Sequence, residues 1–126
     1  MGENQFLVDT DVLIAYLNRR AYRIYLEASK NKIYYSAITK KELLCKRGLR
    51  TSERNAILAL LRRFRLLRID QRIAKEYARV RSAHPSLERG DALIAATALA
   101  KKLPLLTQNL RHFRVVAELV LLPLPG

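Results

Sequence analysis

Acidic side chains are scarce in this chain, which makes their positions informative. The sequence has 11 Asp and Glu residues against 24 Lys and Arg residues. Asp9 directly follows an apolar run, Glu42 lies in the first turn of one predicted helix, and Asp91 opens another. Carboxylates that meet repel one another, and a divalent cation that prefers oxygen ligands, such as Mg²⁺ or Mn²⁺, removes that repulsion. Such an ion activates water and stabilises a phosphodiester under attack, so the pattern predicts metal-dependent phosphodiester hydrolysis.

Zinc and nucleotide sites find no support in the sequence. His84 and His112 stand alone, without a cysteine or second histidine at ligand spacing, so no Cys/His cluster can be written. We therefore expect His112 to be a surface or packing residue rather than an acid–base catalyst. The four glycines form neither a phosphate loop nor a dinucleotide-binding fingerprint.

The excess of basic residues indicates a polyanionic partner. The formal net charge is +13 and the sequence pI is about 10.5. Nucleic acid is the first candidate, a strongly acidic protein is the second, and a merely solvated basic surface is the simplest alternative. The basic pairs come from separate segments, which favours a folded basic face over a basic arm: Arg19-Arg20, Lys40-Lys41, Arg62-Arg63 and Lys101-Lys102.

Each acid also has a purely structural interpretation. Asp9 could simply end a strand, and Asp11 is well placed as the N-cap of the following helix. Glu42 completes the pattern Thr39-Lys40-Lys41-Glu42, which is a capping box in sequence. Asp91 could be another N-cap. Only a convergence of these acids in space would favour catalysis over capping.

The elements that must position the acids follow from the hydrophobic pattern. Short apolar runs alternate with helical periodicity, which predicts an α/β fold with a central parallel sheet of about five strands, helices on both faces and a single domain over residues 1–126. The carboxyl ends of parallel strands share one edge, so we expect Asp9, Glu42, Asp91 and Asn109 to converge there. The predicted strands are 6–8, 33–35, 66–69, 105–107 and 119–122.

Local signals also predict where helices begin and end. Thr39 is expected to cap a helix that runs to about Arg47, with Gly48 in the position of a C-terminal cap glycine. Asp70 is expected to cap a later helix.

The single cysteine and the apolar segments indicate the compartment. Cys45 excludes an intramolecular disulfide, which suits the cytoplasm, and we expect it to be a small buried residue. The apolar run 6–8 is too short for a signal peptide. The longest uncharged apolar stretch, 92–100, is too short to span a bilayer, so no membrane association is expected.

Four segments, taken in order, resemble the PIN-domain nucleases, particularly the VapC type of toxin ribonuclease. The resemblance covers roughly residues 6–123, and the four segments together are far more specific than any one of them. They are 6–14 (FLVDTDVLI), 38–43 (ITKKEL), 90–99 (GDALIAATAL) and 106–113 (LTQNLRHF).

The resemblance implies a PIN-like three-layer sandwich and assigns roles to the site residues. Asp9, Glu42 and Asp91 would be the catalytic acids: Asp9 and Asp91 would hold Mg²⁺ or Mn²⁺ directly, and Glu42 would bind the ion or orient the attacking water. Thr107 and Asn109 would position these ligands. Many family members have an aspartate where this chain has Asn109, so a second metal ion is expected to bind weakly or not at all.

The resemblance also implies partners. Family members cut single-stranded RNA or exposed loops of structured RNA, and the VapC type is usually a homodimer neutralised by a small antitoxin that often places an arginine in the acidic site. Three alternatives stay open: a phosphatase of the haloacid-dehalogenase type, suggested by Asp9-Thr10-Asp11; a module that binds nucleic acid or antitoxin without turnover; and a housekeeping RNA-processing nuclease of the same fold. The sequence identifies neither the RNA, the cleavage site nor the antitoxin.

Overall fold

The computed structural model describes residues 4–125 of the chain. Its strands are β1 Asn4–Val8, β2 Asn31–Ser36, β3 Arg65–Leu67 and β4 Leu105–Leu106. Its helices are α1 Thr10–Arg19, α2 Arg23–Leu26, α3 Ala37–Leu44, α4 Thr51–Leu61, α5 Gln71–Ala83, α6 Arg89–Lys101 and α7 Leu110–Phe113. None of the described helices is long and apolar enough to cross a membrane.

The four strands form one parallel sheet in the order β3-β2-β1-β4. In the register between β1 and β4, Val8 pairs with Leu106. The next residues, Asp9 and Thr107, therefore lie side by side at the carboxyl edge of the sheet, where the Asp9 N–H donates to the Leu106 carbonyl over 2.9 Å. The predicted parallel α/β architecture is confirmed, and it brings together residues from both ends of the chain.

Helices cover both faces of the sheet, as a three-layer sandwich requires. Alternate residues of β1 point to opposite faces. Phe6 and Val8 pack with buried residues of α1, α3 and α4, whereas Leu7 packs with buried residues of α5, α6 and α7. The buried end of β1 thus leads directly to Asp9 and fixes the position of that residue between the two helical layers.

The predicted fifth strand over 119–122 does not form as a ladder. Leu121 makes a single parallel bridge to Leu105, supported by hydrogen bonds from Leu105 N–H to the Val120 carbonyl (2.8 Å) and from Leu122 N–H to the Leu105 carbonyl (2.9 Å). The neighbouring β4 is only two residues long, and Pro123 has no N–H with which to continue the pairing. The sheet therefore has four strands, with a bridged segment at its edge.

Two predicted helix starts are wrong. Asp9, not Asp11, is the N-cap of α1, since its Oδ1 accepts the Thr10 N–H over 2.8 Å. Strand β2 runs directly into α3, whose N-cap is Ser36, so Thr39 lies inside the helix and forms no capping box with Glu42. Both helices begin earlier than the local pattern predicts, so neither Asp11 nor Glu42 has a capping role.

The other helix limits are partly confirmed. Asp70 caps α5, because its Oδ1 accepts the Ile73 N–H over 2.9 Å. Helix α3 ends at Leu44, three residues before the predicted end, so Cys45 is at the C-cap and exposed rather than buried. Gly48 does adopt a left-handed backbone (φ 77°), but in the connection to α4 rather than at the end of α3.

Candidate active site

The carboxylate of Asp9 is held by both neighbouring strand ends. It is 7% exposed, and its Oδ2 accepts a hydrogen bond of 2.8 Å from the Thr107 hydroxyl. The hydroxyl oxygen of Thr107 in turn accepts the Asn109 N–H over 3.0 Å. Since Thr107 is fully buried, its hydroxyl links the turn after β4 to the carboxylate after β1.

Asp11 is a site residue that the sequence analysis missed. Its Oδ1 accepts the Gln108 N–H over 3.3 Å, so the side chain points toward the turn after β4 instead of capping α1. Burial raises the pKa of the Asp11 carboxyl, and the charge of Asp91 raises it further. The sequence did carry a signal for this role, since Asp11 lies two residues after Asp9 in the first turn of α1 and so near the same sheet edge.

Burial and neighbouring negative charges raise the pKa of the Asp9 carboxyl to about 7. Burial is the largest cause, and the charges of Asp11 and Asp91 add to it, while the hydrogen bonds from Thr107 and Thr10 act in the opposite direction. In the part of the chain that the structure describes, no Lys or Arg forms an ion pair with any of these three acids. Despite the net charge of +13, the most buried carboxylates of the described residues therefore have no Lys or Arg partner.

Asp91 lies in the first turn of α6 and meets α7. Its Oδ2 is 3.3 Å from His112 Nδ1, and that nitrogen is 2.7 Å from Asn109 Nδ2. The Asp91 side chain is 18% exposed and that of His112 is 49% exposed. His112 is a surface residue, as expected, but the sequence analysis missed that it touches a predicted metal ligand.

Glu42 is an exposed residue at the rim of the site. Its Oε1 accepts a hydrogen bond of 2.6 Å from the hydroxyl of Thr10, the residue after Asp9. A Cβ at Gly90 would lie 3.3 Å from Glu42 Oε2, so the missing side chain at Gly90 leaves Glu42 room beside the residue that precedes Asp91. Glu42 is thus hydrogen-bonded to the residue after Asp9 and lies close to the residue before Asp91.

The donor set suits a hard divalent cation. The structure brings Asp11 and Asp91 close enough to Asp9 to raise the pKa of the Asp9 carboxyl, and the donor atoms of all three acids are oxygen atoms. Among residues 4–125, no three His, Cys, Asp or Glu side chains already stand at metal-binding separation. Uncompensated buried carboxylates nevertheless fit a cation chemically, because an ion would remove the repulsion that raises the pKa of Asp9.

Removing the Thr107 hydroxyl should destabilise the protein. Thr107→Val keeps the shape of the side chain but leaves Asp9 Oδ2 and the Asn109 N–H without their partner, and we expect a loss of about 1–3 kcal/mol in the free energy of unfolding. Urea unfolding measures it. Thr97→Val is the matched control, since that buried hydroxyl donates only to the Leu93 carbonyl of its own helix (2.8 Å). Equal losses in the two variants would contradict the positioning role of Thr107.

Comparisons with known proteins show which family the chain resembles over most of its length. A PIN domain model matches residues 6–119. The chain is 37% identical over 120 residues to "Ribonuclease VapC10" of Mycobacterium tuberculosis, covering 90% of this chain and 89% of the relative.

Two solved structures are similar over most of the chain. A "Toxin-antitoxin complex from Klebsiella pneumoniae" matches with a TM-score of 0.77 and 31% identity, covering 91% of this chain and 95% of that one. The structure of VapBC2 from Rickettsia felis, bound to a promoter DNA fragment, matches with a TM-score of 0.83 over 94% of this chain and 97% of that one. At 21% identity the second match concerns the fold alone.

Proposed function

We propose that this chain, which belongs to the PIN-domain family, is an endoribonuclease and the toxin of a VapBC-type toxin–antitoxin pair. The observation that carries the proposal is the group of carboxylates at the carboxyl edge of β1 and β4, which have no Lys or Arg ion-pair partner among residues 4–125 of a strongly basic protein. The relatives' names support ribonuclease activity and an antitoxin partner. Residues 1–126 would form one domain, of which residues 1–3 and 126 lie outside the described part.

The acids would hold Mg²⁺ or Mn²⁺. Asp9 and Asp91 are the proposed direct ligands, and Glu42 is proposed to bind the ion or orient the attacking water from the rim. When bound, the ion supplies positive charge that stabilises the phosphodiester under attack and lowers the pKa of water. Asp11 adds negative charge beside Asp9 and so strengthens cation binding.

The remaining site residues would fix the geometry of the acids and of the RNA. Thr107 holds Asp9 in one orientation, and the Asn109 N–H holds Thr107, so the turn after β4 limits the freedom of the carboxylate. Exposed basic residues flank the acids along the chain and would bind phosphate groups of the RNA backbone. They include Lys41 beside Glu42, Arg89 before Asp91 and Arg111 beside His112.

The same charge pattern suits the proposed partners. An antitoxin that inserts an arginine among the acids would supply the missing positive charge and exclude the metal ion. RNA would bind the basic exterior, so its affinity should fall as salt concentration rises. A homodimer and a cytoplasmic location remain part of the proposal, by analogy with the VapC type.

RNA cleavage by the purified chain tests the proposal. We expect single-stranded RNA to be cut in Mg²⁺ or Mn²⁺ and to stay intact in EDTA, because the acids need a cation to act on a phosphodiester. Gel analysis of 5′-labelled RNA over time measures cleavage. Hydrolysis of a small phosphate ester without RNA cleavage would instead support a phosphatase. RNA binding that weakens with salt, without turnover in either metal, would support a non-catalytic module.

A further inference from the structure

One contact at the edge of the site brings a carboxylate oxygen and an amide group to the same imidazole nitrogen. His112 Nδ1 lies 3.3 Å from Asp91 Oδ2 and 2.7 Å from Asn109 Nδ2. An imidazole nitrogen carries either a hydrogen or a lone pair. If Nδ1 accepts a hydrogen bond from the Asn109 amide, its lone pair leaves Asp91 Oδ2 without a donor. If Nδ1 donates to Asp91, its hydrogen leaves the Asn109 amide nitrogen without an acceptor. If the Asn109 amide is turned, the single Nδ1 hydrogen is shared between two oxygen acceptors.

The separation of the two atoms suits two ligands of one metal ion. Ligands bound at right angles, each a little over 2 Å from an ion, lie about 3 Å apart. The distance between Asp91 Oδ2 and His112 Nδ1 is close to this value. The His112 side chain is about half exposed (49%), so a hydrated ion can reach the nitrogen from solvent. A cation bound here would be shared by the nitrogen and the carboxylate oxygen, and the turned Asn109 amide could offer its oxygen to the same ion.

We infer that His112 is a metal ligand beside Asp91 and makes this site prefer Mn²⁺ over Mg²⁺. Mg²⁺ takes carboxylate, carbonyl and water oxygens, whereas affinity for imidazole nitrogen is a property of the transition metals. The inference rests on the proposed function, because it concerns the ion with which the nuclease would work. It adds a nitrogen ligand from α7 to the carboxylates that the family resemblance assigns.

The test measures metal binding directly, without RNA. The metal-stripped full chain is titrated with Mn²⁺, free Mn²⁺ is followed by electron paramagnetic resonance, and Mg²⁺ is added as a competitor. Pulsed measurements on the Mn²⁺ complex detect a directly bound nitrogen as a modulation of the spin echo. His112→Asn replaces the nitrogen ligand by an amide, and His84→Asn at the end of α5 makes the same change away from the acids. Circular dichroism checks that each variant is folded.

The wild-type chain and His84→Asn should show nitrogen modulation, and His112→Asn should not. We expect His112→Asn to lose about tenfold or more in Mn²⁺ affinity while Mg²⁺ affinity changes little, so that the preference for Mn²⁺ falls. An unchanged ratio of the two affinities in His112→Asn, or a wild-type Mn²⁺ complex without nitrogen modulation, would overturn the inference. Those results would leave the proposed nuclease intact if RNA is still cut. No binding of either ion would overturn both.

Discussion

Asp9→Asn and Asp91→Asn should each abolish RNA cleavage almost completely, with a loss in kcat/KM on the order of 10²–10³-fold or more. Each substitution removes a charge that would hold the metal ion, but it keeps the size of the side chain. Asparagine is also a good N-cap, so the hydrogen bond that Asp9 accepts from the Thr10 N–H can persist. Initial rates on a labelled single-stranded RNA, in Mg²⁺ and in Mn²⁺, measure the loss.

A control must separate the site from the general charge of the protein. Glu118→Gln removes the same charge from an exposed side chain that pairs with Arg79. Glu118→Gln changes the net charge of the protein by the same amount as Asp9→Asn and leaves the acids of the site unchanged. The cleavage rate should therefore stay close to that of the wild-type chain. A wild-type rate in Asp9→Asn or Asp91→Asn, or an equal loss in Glu118→Gln, would show that the site assignment is wrong.

The metal-free protein should become more stable as pH falls from about 7, and Asp9→Asn should remove much of this dependence. The pKa of Asp9 is raised from 3.8 to about 7 in the folded state. The folded state therefore binds the proton more tightly than the unfolded state, and ionised Asp9 destabilises the fold above pH 7. The penalty fades as pH falls from 7 towards 3.8. Each unit of pKa corresponds to about 1.4 kcal/mol, so the effect is on the order of a few kcal/mol.

Urea unfolding in EDTA at pH 8 and pH 5 measures this effect. Asp9→Asn should be more stable than the wild-type chain at pH 8, and the difference should shrink at pH 5. Asp70→Asn is the matched control, because Asp70 is also an N-cap whose carboxyl hydrogen-bonds to Lys101 and to the Ile73 N–H, which lower its pKa. Asp70→Asn should therefore give no stabilisation at pH 8. A wild-type stability that rises steadily from pH 5 to pH 8 would contradict the raised pKa of Asp9.

Adding metal should make the wild-type chain more stable than Asp9→Asn, which reverses their order in EDTA at pH 8. An ion that binds only the folded state stabilises it by about 2.7 kcal/mol at a concentration one hundred times its dissociation constant. Because Asp9→Asn lacks a proposed ligand, Mn²⁺ should raise the free energy of unfolding of the wild-type chain far more. The Asp9 carboxylate thus lowers the free energy of unfolding without metal and raises it when Mn²⁺ is bound.

The layers of this protein and the place of its central acid follow from local patterns in the amino-acid sequence. The buried run 6–8 predicts a strand because consecutive apolar residues can be covered on both faces, and Asp9 follows it directly. The alternation of strands and helices predicts a parallel sheet, whose carboxyl edge is where its sites lie. The Asp70 cap is also local, since the carboxylate and the Ile73 N–H it accepts are three residues apart.

Only the tertiary structure decided which side chains surround that acid. Thr107 and Asp9 are 98 residues apart in sequence, and their hydrogen bond exists because β4 pairs with β1. Asp11 and His112 look like a cap and a surface residue when read locally, yet they meet Gln108 and Asp91 across the sheet edge. Local patterns depend on neighbours within about one helical turn, whereas convergence at a sheet edge depends on how distant segments pack.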